Sequence, residues 1–342
     1  MAPIPPKDPG GTCVNKVAGK PNSNAKSSST FGASAYGGAG WVQREKAHGD
    51  ELGGIWASHK IDSEWRPLQA VIVHQPGDEL AASLGDPDSV LMLEPLDIAR
   101  AREQHVAMVE AYEKLGVAVH HVMPTGAPAP NQMFCADLFV MTPQGAILAR
   151  PAGQVRAGEE RWVARRLADL GVPILKTLTG EATFEGADLM WLDEKTAMIG
   201  RGHRTNQDAI EQITTVLAEI GCEMLAVDMP YGTMHFMGML RIADRDLAIC
   251  WPRRTPVATV KALEARGYEV VCPPYEDDAE SYRAMNFVTL GPRKIMMAAG
   301  LARFQPFFEQ HGIHCVTVAT DELSKAAGNI GCLTGVLGRV TK

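Results

Sequence analysis

Hairpin-like segments recur in this chain at intervals of about 50 residues, at Leu138–Arg150, Asp188–Arg201, Gly238–Trp251 and Asn286–Ala299. Each is followed by a run of helical length, a glycine that stops it, and a short apolar strand. A period in this range marks a repeat architecture in which every unit is one supersecondary motif. The unit here reads ββαβ. Such units could stack into an open doubly wound sheet or close into a ring. Tight hairpins in every unit argue against an all-parallel sheet, whose crossovers need a dozen residues or more. The segment after the first strand, His74-Gln75-Pro76-Gly77, also lacks the GxGxxG spacing of a dinucleotide site. The ring is the expected form.

Within the units, helices are expected over about Glu159–Leu170, from Asn206 to before Gly221, from Thr255-Pro256 to Gly267, and over about residues 301–311. Thr255 reads as an N-cap and Pro256 as the first helical residue. The closing strands read Val172–Lys176, Glu223–Val227, Tyr268–Val271 and Ile313–Val318. An apolar strand at Leu68–His74, a helix of 3.6-residue periodicity at Leu96–Leu115 and the strand Val117–Met123 are left over. Together with residues 332–340 they supply a fifth unit and close the circle. The expected fold is therefore α/β, a ring of five ββαβ units spanning residues 41–342 as one domain. Residues 1–40, rich in Gly, Ser, Pro and Asn, read as a disordered or surface-lying arm.

Composition narrows the function. A net charge of −7 argues against a general nucleic-acid binder. No run of 18 apolar residues or signal-peptide pattern is present, so no membrane span and a cytoplasmic location are expected. Seven cysteines form no CxxC pair. Neither a zinc site nor a disulfide framework is suggested, and a reducing compartment fits.

In a ring, equivalent positions of successive units converge on one axis. Asp137, Glu185 and His235 stand just ahead of the first three hairpins, and the cycle ends in Gly331-Cys332-Leu333. A lone histidine in an apolar stretch such as Met234–Met237 is ordinarily a core residue. Its register with the repeat instead puts two acids, an imidazole and a thiol in one pocket, the makings of an enzyme with a cysteine nucleophile.

The segments Phe134-Cys135-Ala136-Asp137, Phe184-Glu185-Gly186-Ala187-Asp188, His203-Arg204-Thr205-Asn206, His235 and Gly331-Cys332-Leu333-Thr334 resemble the guanidino-group-modifying enzymes. This superfamily includes dimethylarginine dimethylaminohydrolases, arginine deiminases and amidinotransferases, and its pentein fold implies that residues 41–342 form a single catalytic domain, a five-bladed α/β propeller. The resemblance runs over roughly residues 60–342 and implies a small cationic guanidino substrate, with no cofactor and no metal. It implies that Cys332 attacks the guanidinium carbon to form a covalent amidino-enzyme. His235 would act as general acid and base, oriented by Glu185. Asp137 would hold the guanidinium through bidentate charge-assisted bonds. Arg204 and Arg156 would grip a substrate carboxylate, and Asp188 would make a second substrate contact or cap a strand.

Two features pull apart the possible reactions. Deiminases and many amidinotransferases carry an aspartate two positions after the catalytic histidine, where this chain has Met237. That disfavours plain arginine deimination and favours a hydrolase of the dimethylaminohydrolase type. Ser63-Glu64-Trp65-Arg66-Pro67-Leu68 and the Glu-Gly-Ala-Asp spelling look more like amidinotransferases, which pass the amidino group to an amine. The acceptor and the oligomeric state, a homo-oligomer included, stay open.

Overall fold

In the computed structural model, which describes residues 32–274 and 278–341, fifteen strands form five three-stranded sheets. Residues 1–31 of the expected arm lie outside the described residues. The chain divides into a small unit ending at Lys46 and a large one from Ala47 onward. In the small unit, Ser34–Tyr36 is a single 3-10 turn whose residues are all exposed.

Four sheets of the large unit follow one recipe. In the first, β3 (Phe139–Thr142) pairs antiparallel with β4 (Gly145–Leu148), and β4 pairs parallel with β5 (Ile174–Thr177) after the crossover helix α2 (Glu160–Asp169). The second repeats this with β6 (Leu189–Asp193), β7 (Thr196–Arg201), α3 (Gln207–Glu219) and β8 (Glu223–Asp228). The third uses β9 (Leu240–Asp244), β10 (Leu247–Cys250), α4 (Val257–Glu264) and β11 (Glu269–Val271). The fourth uses β12 (Val288–Gly291), β13 (Lys294–Ala298), α6 (Phe304–Gln310) and β14 (His314–Val318).

The fifth sheet is made from both ends of the unit. β15 (Gly335–Arg339) pairs antiparallel with β1 (Leu68–Val73), which pairs parallel with β2 (Ala118–His121) after α1 (Ile98–Lys114). This pairing gives the fifth sheet the same order as the other four and completes the five-unit α/β propeller. Glycines in the left-handed region follow α1, α2, α3, α4 and α6 at Gly116, Gly171, Gly221, Gly267 and Gly312. Only glycine adopts that conformation freely, so the helix stops read from the sequence fall at five equivalent places.

Side chains stitch neighbouring blades together. Trp191 Nε1 donates to Met141 O at 3.0 Å, Tyr268 Oη to Leu192 O at 2.5 Å, Thr289 Oγ1 to Ile242 O at 2.7 Å and Arg339 Nη1 to Thr289 O at 2.8 Å. The first two strands of each blade are almost wholly buried, while the third is part exposed. Among the described residues, no helix is long and apolar enough to cross a membrane.

Two local expectations differ from the structure. Pro256, with extended backbone, is the residue before α4, and Thr255 Oγ1 donates instead to Met239 O and Trp251 O at 2.8 and 3.0 Å. An additional helix, α5 (Asp278–Met285), precedes the fourth hairpin. It buries Ser281, Ala284 and Met285, too short an apolar stripe to register as a period.

Close packing between blades leads to a stability prediction. A Cβ on Gly186 would lie 2.4 Å from Phe139 O and 2.5 Å from Ala136 O, both backbone atoms of the preceding blade. Gly186→Ala is expected to lower stability by about 1–3 kcal/mol, the usual range for overpacking. The check is a fall in the urea midpoint at unchanged slope; an unaltered midpoint would contradict this packing.

Candidate active site

The residues ahead of three of the blades sit at 3-10 turns. Asp137 ends a 3-10 turn, Cys135–Asp137, before β3. Glu185 and His235 are the extended N-cap residues of the 3-10 turns Gly186–Asp188 and Phe236–Gly238, before β6 and β9. Cys332 lies in the short helix α7 (Ile330–Leu333) before β15. Asn286, immediately before β12, fills the fourth position. Its side chain donates to Cys332 Sγ at 3.0 Å and accepts from the Cys332 amide at 3.0 Å. Asp137, Glu185, His235, Asn286 and Cys332 are thus spaced by 46 to 51 residues and are all buried. Asn286 was overlooked because an amide carries no titratable signal. The period alone pointed to it, since it opens the fourth hairpin.

Glu185 is the centre of a buried ion cluster. Its Oε2 lies 2.6 Å from His235 Nε2 and 3.0 Å from Arg156 Nη1; its Oε1 accepts from Arg204 Nη1 at 3.2 Å and the Ala152 amide at 3.3 Å. Arg156 also reaches Asp137 Oδ2 at 2.8 Å and Glu159 Oε2 at 2.8 and 3.0 Å. A fully buried guanidinium is therefore shared by three carboxylates. Asp137 Oδ1 is buried without a hydrogen-bond partner, 3.8 Å from His235 Nδ1. Arg156 already donates to Oδ2, so the two carboxylate oxygens expected to act as a bidentate pair are not equivalent here: one is bonded and the other is without a partner.

Asp188 lines neither of the two cavities beside Cys332. Its Oδ2 accepts from Thr205 Oγ1 at 2.6 Å and its Oδ1 from the Phe236 amide at 2.9 Å, so it anchors the backbone beside His235. The His203-Arg204-Thr205-Asn206 loop serves the same frame. Arg204 pairs with Glu185, Thr205 binds Asp188, and Asn206 caps α3 through the Ala209 amide at 3.1 Å.

Electrostatics set the resting protonation. Burial lowers the His235 pKa, but Asp137 and Glu185 outweigh it and push it up to about 9. Burial works to raise Glu185, yet Arg156, His235 and Arg204 hold it well below the usual carboxylate range. Burial, then Asp137, raises the Cys332 thiol, against the opposing effects of Asn286 and Arg241. Burial pushes Asp188 and Glu159 up to about 7. The site at neutral pH is therefore a thiol facing an imidazolium.

Arg241 is a second contributor that the sequence did not reveal. Its Nε donates to Met285 O at 2.8 Å, and burial pulls its pKa down to about 10. A Cβ on Gly331 would meet Arg241 Nη2 at 2.1 Å, so the glycine before Cys332 leaves room for this guanidinium.

Two cavities meet at Cys332. A polar one of about 20 Å³ is lined by Asp137, Arg156, Arg204, Asn131 and Phe134 among others; an apolar one of about 310 Å³ lies on the side of Met237 and Trp251. A thiol, an imidazolium and an unpartnered carboxylate oxygen around one space are suited to nucleophilic attack on a cationic carbon.

The family model for eukaryotic N,N dimethylarginine dimethylhydrolase matches residues 94–334. The chain belongs to this family. It is 26% identical over 268 residues to the N(G),N(G)-dimethylarginine dimethylaminohydrolase of Streptomyces coelicolor, covering 78% of this chain and 96% of that one. The Pseudomonas aeruginosa enzyme of the same name is 24% identical over 238 residues, covering 70% and 89%. A cysteine-to-serine variant of the Pseudomonas aeruginosa protein, solved with citrulline, superposes with a TM-score of 0.67 at 21% identity, over 80% of this chain and all of that one. An amidinotransferase of saxitoxin biosynthesis from Microseira wollei gives 0.69 at 16% identity, over 84% and 98%. Both solved structures share the fold. Family membership makes this chain a hydrolase acting on a guanidino C–N bond.

The balance of charges around His235 can be measured directly. In an NMR titration its ring is expected to stay protonated through neutrality, with a midpoint of about 9. Glu185→Gln removes a carboxylate that raises this pKa, so the midpoint should fall. A wild-type midpoint at or below 6.5, the ordinary value for a histidine, would contradict the cluster as described.

Proposed function

We propose that the chain hydrolyses an Nω-substituted arginine to citrulline and an amine, with Cys332 as nucleophile, His235 as acid and base, and Asp137 as the guanidinium anchor. The observation that carries this reading is the buried, unpartnered Oδ1 of Asp137, in the same small cavity as Cys332 and His235. A buried acceptor without a partner is costly, and a guanidinium N–H is its natural complement.

The resting thiol is not the attacking species, because burial and Asp137 hold its pKa up. An incoming guanidinium against Asp137 offsets that negative field and favours loss of the thiol proton to solvent. The thiolate then attacks the guanidinium carbon. His235, already protonated, hands its proton to the departing nitrogen, and the C–N bond breaks to leave an amidino group on Cys332. A water molecule gives a proton back to His235 as it attacks that carbon. The C–S bond then breaks to release a ureido product, and Cys332 regains its proton.

Glu185 keeps His235 charged and oriented, and Asp188 fixes the backbone next to it. Arg204, on the polar side and partly exposed, is the residue assigned to the substrate carboxylate. Arg156 lines the same cavity, but its guanidinium is committed to Asp137, Glu185 and Glu159, so its assigned part is to support Asp137. The polar cavity, about 20 Å³, must open for the amino-acid end to enter. A reducing compartment such as the cytoplasm keeps the nucleophile a thiol.

Incubation with Nω,Nω-dimethylarginine is expected to give citrulline and dimethylamine, with a transient mass increase on Cys332. Cys332→Ser should lower kcat by at least about 10³-fold, in line with removal of other covalent nucleophiles. Asp137→Asn should lower kcat/KM by roughly 10- to 100-fold, the scale of one charge-assisted bond. Ornithine with a new guanidine, in place of citrulline, would overturn hydrolysis in favour of amidino transfer.

A further inference from the structure

The two cavities beside Cys332 differ in chemistry as well as size. The smaller carries Asp137, Arg156 and Arg204. The larger, about 310 Å³, is walled chiefly by Leu93, Met234, Met237, Met239, Trp251 and Tyr282, and no carboxylate lines it. The same Met234, His235, Ala327 and Cys332 border both. A group bound at Cys332 therefore has one polar and one apolar direction in which to extend.

We propose that the larger cavity is a leaving-group subsite, which admits guanidines whose departing nitrogen bears a hydrocarbon substituent larger than a pair of methyl groups. The proposal rests on the hydrolase reading above, and three observations support it. The departing nitrogen is the one that His235 protonates, and His235 borders this cavity. The volume is about twice the roughly 150 Å³ of an apolar cavity that binds benzene. The walls include three methionines, whose unbranched thioethers adapt to substituents of differing shape. The opposite side offers the polar end of an arginine-like substrate Asp137 and Arg204, whereas the arginine on the larger cavity, Arg254, donates to Gly232 O at 2.9 Å and lies over the Trp251 ring.

The chemistry is that of the parent reaction. The Cys332 Sγ–C bond forms, and the bond from carbon to the substituted nitrogen breaks as that nitrogen takes the His235 proton. The neutral amine departs on the apolar side, and water completes hydrolysis to the same ureido product whatever the substituent.

The test measures citrulline formation from Nω-methyl-, Nω-propyl- and Nω-benzylarginine, with mass analysis of the amine released. Each added methylene is expected to raise kcat/KM about three- to fivefold, the transfer value for one buried CH₂, with benzyl at least equal to propyl. A steady fall in kcat/KM from methyl onward overturns the subsite while leaving the hydrolase reading intact. No citrulline from any substrate overturns both. A Cβ at Gly238, on the cavity wall, meets no atom within 4 Å, so Gly238→Phe can fill the space without backbone strain. It is expected to lower the benzyl-to-methyl ratio of kcat/KM at least tenfold, whereas an unchanged ratio counts against the proposal. If arginine and benzylamine yield ornithine and benzylguanidine, the cavity holds an acceptor amine, and the leaving-group assignment is overturned.

Discussion

The buried carboxylate of Glu185 is the interaction on which the site depends. A carboxylate with no solvent access is tolerated only when its charge is compensated and its oxygens are bonded. Here the compensation is drawn from three places in the ring. Arg156 comes from the turn before α2, Arg204 from the loop before α3, and His235 from the start of the third blade. Pairing them at one point fixes the relative positions of three consecutive blades near the axis. Asp137 and Glu159 then share Arg156, which leaves more carboxylate than guanidinium. Glu159, pushed up to about 7, takes part of that excess as a proton.

The excess of carboxylates over guanidiniums, made up by a proton on His235, is also what sets the proposed chemistry. It holds His235 as an imidazolium and, through Asp137, opposes ionisation of Cys332. The unpartnered oxygen of Asp137 is the place in this balanced cluster suited to a further cation. A thiolate and imidazolium already paired in the resting state would gain less from a guanidinium. In the arrangement seen here, substrate charge would itself complete the electrostatic set, so nucleophile activation would be coupled to binding a substrate of the right sign.

The ring was legible in the sequence because its punctuation is strong. Short hairpins and the helix-ending glycines recur in fixed order, and β15 closes onto β1 where residues 332–340 were expected to complete the fifth unit. The polar positions were legible for the same reason, register with the repeat. Partnerships were not. That Arg156 lies between Asp137, Glu185 and Glu159 follows from how three turns meet in space, and spacing along the chain suggested only a free substrate-binding arginine. Asn286 and Arg241 were missed because each looks ordinary in its local context. Their significance comes from lying against α7, which folds back from the end of the chain.

Met237 joins the sequence argument to the proposed specificity. It stands two positions after His235, where the deiminase pattern would put an aspartate, and it lines the larger cavity beside Cys332. An NH₂ group directed there would leave water for a wall chiefly of thioethers and aromatic rings, where neutral oxygens such as that of Thr233 stand in place of a carboxylate. Exchanging a charge-assisted hydrogen bond for a neutral one costs about 1 kcal/mol, enough to disfavour plain arginine by about fivefold. A nitrogen that carries alkyl groups has fewer N–H bonds to lose and apolar surface to bury. The same substitution that removes a carboxylate from the guanidinium would thus select for a substituted one, by penalising the wrong substrate as much as by binding the right one.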